Sequence, residues 1–300
     1  MKLEQREKDI NNTLDMYLKR GVKLHDEYSY AYANTNENLS DTWTQFKFDD
    51  NIKALSVLAS GDQIYDMILK GLSNIDTFDC NRVAEYFTLG FKKTAIECLD
   101  YYQFIEMFDY FTYGFNYEME KYVISCAPSE YKKFWEELFY ILKQKGRPAV
   151  SVFEFTEGDI REVLLNNRCN YLMSNNNFKK LQENLKNADI TFNYDNIKNI
   201  SKNYGKYDFI YISNIMDYFK EIYPEKSFDD ALSSSLELFY KIYDLNLNEP
   251  GDILLTSFYQ QFTKELFKKE NSAKFTPKLI SYMNSEVVGV RKGKVLRKNR

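Results

Sequence analysis

Apolar positions change their period along the chain, and each change predicts an element. Over residues 3–24, polar helix formers are interspersed with Ile10, Leu14, Tyr17, Leu18 and Val22 near helical spacing, which predicts one amphipathic helix ending around Gly21. The next stretch, HDEYSYAYANTNENLSDTW, has no apolar period: Tyr28, Tyr30 and Tyr32 alternate, then Asn34, Asn36 and Asn38. Its turn formers read as a surface loop, and loops on rigid scaffolds often carry binding residues, so it is also a candidate flap beside a substrate. A short β-prone run from Ala54 to Ala59 is broken by Ser60-Gly61-Asp62; helical spacing resumes from Gln63 to Lys70, and Gly71 closes it. A second strand, Ile75 to Asp79, ends in an acid. Asn81 then caps a helix from Arg82 to about Leu99, with Val83, Phe87, Phe91, Ala95 and Leu99 four residues apart. Strand, tight turn, helix, strand, acid, helix is a βαβ unit, which builds parallel sheets.

From Tyr101 to Lys145 the pattern is helical and aromatic, divided at Pro128, with Phe104, Phe108, Phe134, Trp135 and Leu138 among the stripe residues; such stripes read as packing. A β-prone patch, Val150 to Phe153, precedes a helix near Ile160 to Leu165. A polar helix from about Asn177 to Asn187 leads into a strand, Asp189 to Asn193, with Tyr194-Asp195-Asn196 at its end. Tyr207 to Ser213 is a buried-strand candidate, followed by Asn214 and by Asp217-Tyr218. A helix from about Asp229 to Asp244, a turn at 249–252 and a strand from Ile253 to Phe258 come next. Val287 to Val290 and Val295-Leu296 flank Arg291 to Lys294 as a closing hairpin. The expected architecture is α/β: a doubly wound Rossmann-like domain with a mostly parallel sheet over residues 51–300, a helical insertion at about 101–188, and an N-terminal helix with a tyrosine-rich arm over 1–50.

Composition narrows the class. Gly 11 and Pro 5 in 300 residues, against usual shares of about 7% and 5%, exclude collagen-like and linker-dominated chains. Hydrophobic residues at 44% supply a sizeable core, and the 25 Tyr and 23 Phe beside 2 Trp are the compositional oddity. The 40 Lys+Arg against 44 Asp+Glu argue against a dedicated nucleic-acid binder, so no nucleic-acid partner is expected. The N-terminus MKLEQREKDI has no apolar signal core and no window is long enough to span a membrane, which points to the cytoplasm. Cys80, Cys98, Cys126 and Cys169 form no CxxC pair and read as reduced thiols. A single histidine, His25, excludes paired-His zinc sites, and no metal is expected.

In a doubly wound sheet, ligands lie outside the carboxyl ends of the strands. Ser60-Gly61-Asp62 would offer backbone N–H groups and a helix N-terminus there, with Gly61 allowing close approach. Asp79, 18 residues after Gly61, is placed to accept both hydroxyls of a ribose. The glycines of a pyrophosphate cradle are absent, which disfavours NAD-dependent chemistry and suits a ribose-bearing ligand without phosphates.

Leu55 to Asp62, Phe78-Asp79-Cys80-Asn81 and Lys92-Lys93-Thr94-Ala95-Ile96 resemble the bacterial family built around betaine-lipid synthase A, with Ser-Gly-Asp in place of that family's Ser-Gly-Gly-Asp. Residues 50–105 carry the likeness well, and 205–260 in outline. It implies the class I S-adenosylmethionine-dependent methyltransferase fold and S-adenosyl-L-methionine as cofactor. By that resemblance Ser60, Gly61 and Asp62 border the methionine end, Asp79 holds the ribose with Cys80 and Asn81 beside the adenine, Asp195 or Asn196 meets the adenine amino group, and Ser213 and Asn214 sit where acceptor and sulfonium meet. Candidate bases are Asp217, Tyr218 and the cluster Tyr28, Tyr30 and Tyr32, with His25 a further option.

The expected function is transfer of a methyl or 3-amino-3-carboxypropyl group to a small-molecule or lipid-like nucleophile. The basic end, Arg291 to Arg300, is a possible peripheral membrane contact. The alternative is a non-catalytic methyltransferase-fold interaction protein.

Overall fold

Nine strands organise the described residues. The computed structural model describes residues 3–19, 31–35, 37–43, 46, 48–154, 160–257, 262, 264–266, 275–282 and 285–292. In chain order the strands are β1 (Ala31–Tyr32), β2 (Lys53–Val57), β3 (Asn74–Asp79), β4 (Phe153–Glu154), β5 (Asp189–Tyr194), β6 (Tyr207–Tyr211), β7 (Leu247–Ser257), β8 (Phe275–Tyr282) and β9 (Ser285–Lys292). The chain divides into two compact units, one of residues 1–47, 58–71 and 79–188, the other of residues 48–57, 72–78 and 189–300.

The second unit holds a seven-stranded sheet in the order β5-β3-β2-β6-β7-β9-β8. Counted along the chain within this sheet, that is 3-2-1-4-5-7-6, the doubly wound Rossmann order with its last strand inserted beside the fifth. β2 runs parallel to β3 and β6, and β6 to β7, while β9 is antiparallel to β7 and β8. Central β2 is buried from Ala54 to Val57, as its largely apolar run requires, whereas edge strand β5 is mostly exposed and correspondingly polar. Asp76 ties its own strand, β3, to three others. It accepts from Thr191 Oγ1 at 2.5 Å, Tyr207 Oη at 2.7 Å and Lys53 Nζ at 2.9 Å. Burial raises its pKa, but these three donors outweigh burial and hold it below the usual value.

Two elements of this unit differ from the sequence expectation. The 249–252 turn is instead part of β7, which begins at Leu247. Its register against β6 jumps from Tyr207↔Leu247 to Phe209↔Asp252, a bulge that absorbs Glu249 to Gly251. Gly251 is needed there, since a Cβ would lie 2.8 Å from the Asn248 carbonyl oxygen. The closing hairpin pairs β8 with β9, so Arg291 and Lys292 are strand residues rather than a turn. The continuing register Asp252↔Arg291 to Ser257↔Glu286 against β7 extends the strand through the basic pair, where local polarity had suggested an end. Val295 and Leu296 lie outside the described residues.

The first unit is largely helical. Its described α-helices span Leu3–Lys19, Leu39–Thr42, Asp62–Leu69, Lys93–Cys98, Tyr101–Phe108, Tyr110–Tyr113, Tyr117–Cys126, Ser129–Gln144, Ile160–Leu165 and Asn175–Leu185, with β1 and β4 paired parallel. Asp100 and Gln103 form a capping box at Tyr101, and Pro128 precedes the helix from Ser129, dividing the aromatic run as its fixed φ requires. Most of the stripe is core, with Phe115 an exposed exception: Tyr86 stacks on Phe134 with centroids 4.1 Å apart, and Phe87 meets Trp135 edge-on at 5.4 Å. The helix read over 82–99 is not uniform. Tyr86–Lys92 is π-helical and passes into the α-helix Lys93–Cys98. Within the wide turns, the Trp135 indole N–H donates to the Tyr86 carbonyl at 2.8 Å, and Gly90 admits Tyr131, whose Cβ would be 2.9 Å from an added Cβ. Among the described residues no helix is long and apolar enough to cross a membrane.

Candidate functional site

All the site residues read from the sequence outside the arm follow the carboxyl ends of strands. Tyr32 is the last residue of β1, and Tyr30 lies outside the described residues, as do Tyr28 and His25.

After β2 the backbone turns sharply through residues 58–61 before the helix at Asp62. Ala59 takes φ 42° and Gly61 φ 80°. A left-handed alanine costs on the order of 1 kcal/mol, so the surrounding structure must impose it. It does so from three directions. Thr88 Oγ1 donates to the Ala59 carbonyl at 2.8 Å, the Ala59 N–H donates to Asp79 Oδ2 at 3.0 Å, and the Gly61 N–H donates to the Leu58 carbonyl at 2.9 Å. Gly61 is doubly constrained, because an added Cβ would sit 2.4 Å from Thr88 Cγ2. The close approach that this glycine permits is to the chain's own threonine.

Asp62 is wholly buried. Its Oδ1 accepts from Lys92 Nζ at 2.7 Å and from the Tyr171 hydroxyl at 2.5 Å; its Oδ2 accepts from the Thr35 N–H at 2.5 Å and the Ser60 hydroxyl at 2.9 Å. A carboxylate offers about four acceptor positions, and the chain's own donors take all four. Burial, and then the Asp62 charge, push the Tyr171 phenol well above its ordinary pKa, so it stays a donor. One turn on, Asp66 accepts from the backbone N–H groups of Asn170 and Tyr171, both at 2.9 Å, and burial raises its pKa to about 7.

Asp79 is different. Oδ1 accepts the Asn81 N–H at 2.8 Å and Oδ2 that of Ala59, and the Cys80 N–H also bonds the carboxyl group, which leaves about one of its four acceptor positions. Burial raises its pKa to about 6 against the opposing pull of the Asn81, Ala59 and Cys80 N–H groups. Cys80 is half-buried, and Asn81 Oδ1 caps the following turn through the Val83 N–H at 3.2 Å.

In the second unit, Asp195 accepts from the side-chain amides of Asn199 at 2.7 Å and Asn203 at 2.9 Å and from the Asn196 N–H at 2.8 Å, while Asn196 Oδ1 accepts the Lys198 N–H at 3.0 Å. After β6, Ser213 also takes a left-handed φ, 50°, and its hydroxyl donates to Asn214 Oδ1 at 3.3 Å. Asn214 Nδ2 reaches the Tyr218 hydroxyl at 3.4 Å, and the Asp217 N–H donates to the Asn214 carbonyl at 2.9 Å. Ser213, Asn214 and Tyr218 therefore form one short chain, with Asp217 buried beside them.

Sequence reasoning missed Thr88, Lys92, Asp66 and Tyr171. Thr88 and Lys92 stand four apart, each directly after a stripe residue, Phe87 and Phe91. Polar groups tucked against an apolar stripe were the available signal.

No protein-family profile and no curated protein matches the chain. Among solved structures it is similar to an rRNA methylase from Streptococcus thermophilus, with 9% identity over 82% of this chain and 89% of that one and a TM-score of 0.35. It is similar to the 16S rRNA methylase RmtB, with 11% identity over 98% and 76% and a TM-score of 0.37. The plantazolicin methyltransferase BpumL in complex with SAH gives 8% over 97% and 90% with a TM-score of 0.34. Likenesses this low decide neither cofactor nor substrate. The strand order is what makes this an α/β, Rossmann-like methyltransferase fold.

One expectation is corrected by the comparison. Two of these three structures are rRNA methylases by name, a finding against the expectation of no nucleic-acid partner, which is withdrawn without a nucleic acid being assigned to this chain. Its physical flaw is that a formal charge of -4 is a sum over the whole chain, whereas an RNA-facing surface needs only a local excess of positive charge.

Proposed function

We propose that the protein is an S-adenosyl-L-methionine-dependent transferase. The single observation that carries this reading is the joint between the first two strand ends: Asp79 closes β3, holds the strained Ala59 N–H of the turn after β2, and keeps acceptor capacity. An acid in that position suits the hydroxyls of a ribose, and the turn suits a ligand without phosphates. The resemblance of residues 55–62, 78–81 and 92–96 to the betaine-lipid synthase A family supports the same cofactor. Within the second unit another strained residue, Ser213, follows β6, and backbone strain concentrates where ligands are handled.

On this reading the bound cofactor supplies an electrophilic carbon on a good leaving group, and the protein's task is alignment. Asp79 would hold the ribose, with Cys80 and Asn81 beside it. Asp195 and Asn196 would face the adenine through what acceptor capacity the asparagine amides leave. Ser213 and Asn214 would orient the acceptor, with Asp217 or Tyr218 taking a proton where the nucleophile carries one. Asp62 would act from beneath, shaping the turn rather than touching the ligand. The group moved is methyl or 3-amino-3-carboxypropyl. Product analysis separates the two, since the first leaves S-adenosylhomocysteine and the second methylthioadenosine. Titration calorimetry of the wild type and Asp79→Ala tests the reading. Binding by the wild type that weakens in the variant supports it; no binding, or equal binding, overturns it.

A further inference from the structure

The side chains of Lys92 and Asp62 are both completely buried. An enclosed ammonium is costly unless every donor is met, and an apolar side chain would often serve stability as well. Lys92 meets its donors from separate stretches of chain. The turn supplies Asp62 Oδ1 at 2.7 Å and the Ser60 carbonyl at 3.1 Å; the arm supplies the Ala33 carbonyl and Asn34 Oδ1, the latter at 3.4 Å. Arm and turn are joined again by the Thr35 N–H, which donates to Asp62 Oδ2. Lys92 and Thr88 both belong to the π-helical stretch Tyr86–Lys92, and Thr88 braces the same turn through the Ala59 carbonyl.

We propose that Lys92 is a positioning residue. Its ammonium clamps arm residues 33–35 onto turn residues 60–62, and the clamp fixes the backbone from Ala59 to Gly61. The clamp rests on geometry alone; its consequence for cofactor affinity rests on the reading under Proposed function. A residue that served only as half of an ion pair would matter only through the charge it neutralises, and removing both charges together would restore whatever its loss had cost.

Lys92→Met, Asp62→Asn and the double variant Lys92→Met/Asp62→Asn separate the two roles. Thermal unfolding, amide hydrogen exchange over residues 31–35, and calorimetry with S-adenosyl-L-methionine are compared with the wild type. Lys92→Met alone should lower the unfolding temperature, because it leaves the Asp62 charge buried without its cation. The double variant should regain much of that stability, yet exchange faster over 31–35 and bind the cofactor about tenfold more weakly than Asp62→Asn alone, which already changes the Thr35 bond but keeps the Lys92 ammonium; tenfold is the scale of one lost charge-assisted hydrogen bond. Wild-type exchange over 31–35 in the double variant would overturn the clamp. Exchange that quickens while affinity returns with stability would overturn the positioning role. If the wild type binds no cofactor, the transferase reading fails, and the exchange measurement still decides the clamp.

Discussion

Asp62 and Asp79 both border the turn after β2, and their hydrogen bonds give them different work. Asp62 gives its acceptor positions to Lys92, Tyr171, Thr35 and Ser60, while Asp79 accepts the backbone amides of Ala59, Cys80 and Asn81 and keeps about one position for a ligand. Gly61 stands between them as the most constrained position, with φ 80° and no room for a Cβ against Thr88. Gly61→Ala should destabilise the protein by about 2–4 kcal/mol, the sum of backbone strain and overpacking, as read by chemical denaturation. The same substitution in a Thr88→Ser background should cost less, because that serine lacks Cγ2; equal costs would show that the threonine methyl is not the obstacle. The sequence made Gly61, Asp79 and Asn81 visible because they interrupt or end β-prone runs. It did not reveal what Asp62 faces, because its partners Thr35, Lys92 and Tyr171 come from distant stretches that only the fold assembles.

At the scale of elements, the strands were legible where a burial run had clear ends, as in β2, β3 and β6. The reading failed where tertiary pairing overrode local polarity. β7 continues through Glu249 to Gly251 as a bulge, and β9 carries its pairing through Arg291 and Lys292. The π-helical Tyr86–Lys92 was also invisible, because an apolar residue every four positions fits an α-helix equally well. Its wide turns are held by Trp135 on the Tyr86 carbonyl and by Tyr131 against Gly90. Gly90→Ala should therefore destabilise the protein by about 1–3 kcal/mol even though alanine is the better helix former, because the added Cβ must displace Tyr131 near its own backbone. Chemical denaturation measures it, and a stabilised variant would mean that the Gly90–Tyr131 contact does not constrain the element.

Over the whole molecule, buried acids set the response to pH. Burial raises Asp66 and Glu120 to about 7 and Asp79 to about 6, from ordinary values of 3.8 for the aspartates and 4.5 for the glutamate. The folded state therefore holds more protons than the unfolded chain between about pH 4 and 7. Stability from these groups is fully present below the unfolded values and is lost as pH rises through 6 to 7, at about 1.4 kcal/mol per pH unit for each proton concerned. Denaturation midpoints should rise as pH falls from 8 to 5.5, and Glu120→Gln should flatten that slope; a wild-type slope of opposite sign would contradict the assignment. Cofactor affinity should move the other way, weakening as pH falls through about 6, because protonated Asp79 loses acceptor capacity. The doubly wound order was readable from the succession of strands and helices, but the two compact units were not, since they interleave along the chain. Calorimetric titration of S-adenosyl-L-methionine into wild-type protein and Asp79→Ala at pH 7.5 tests the central claim most directly. The account predicts saturable wild-type binding that is weakened about tenfold or more in the variant. A wild type that binds nothing, or a variant that binds equally well, would contradict it.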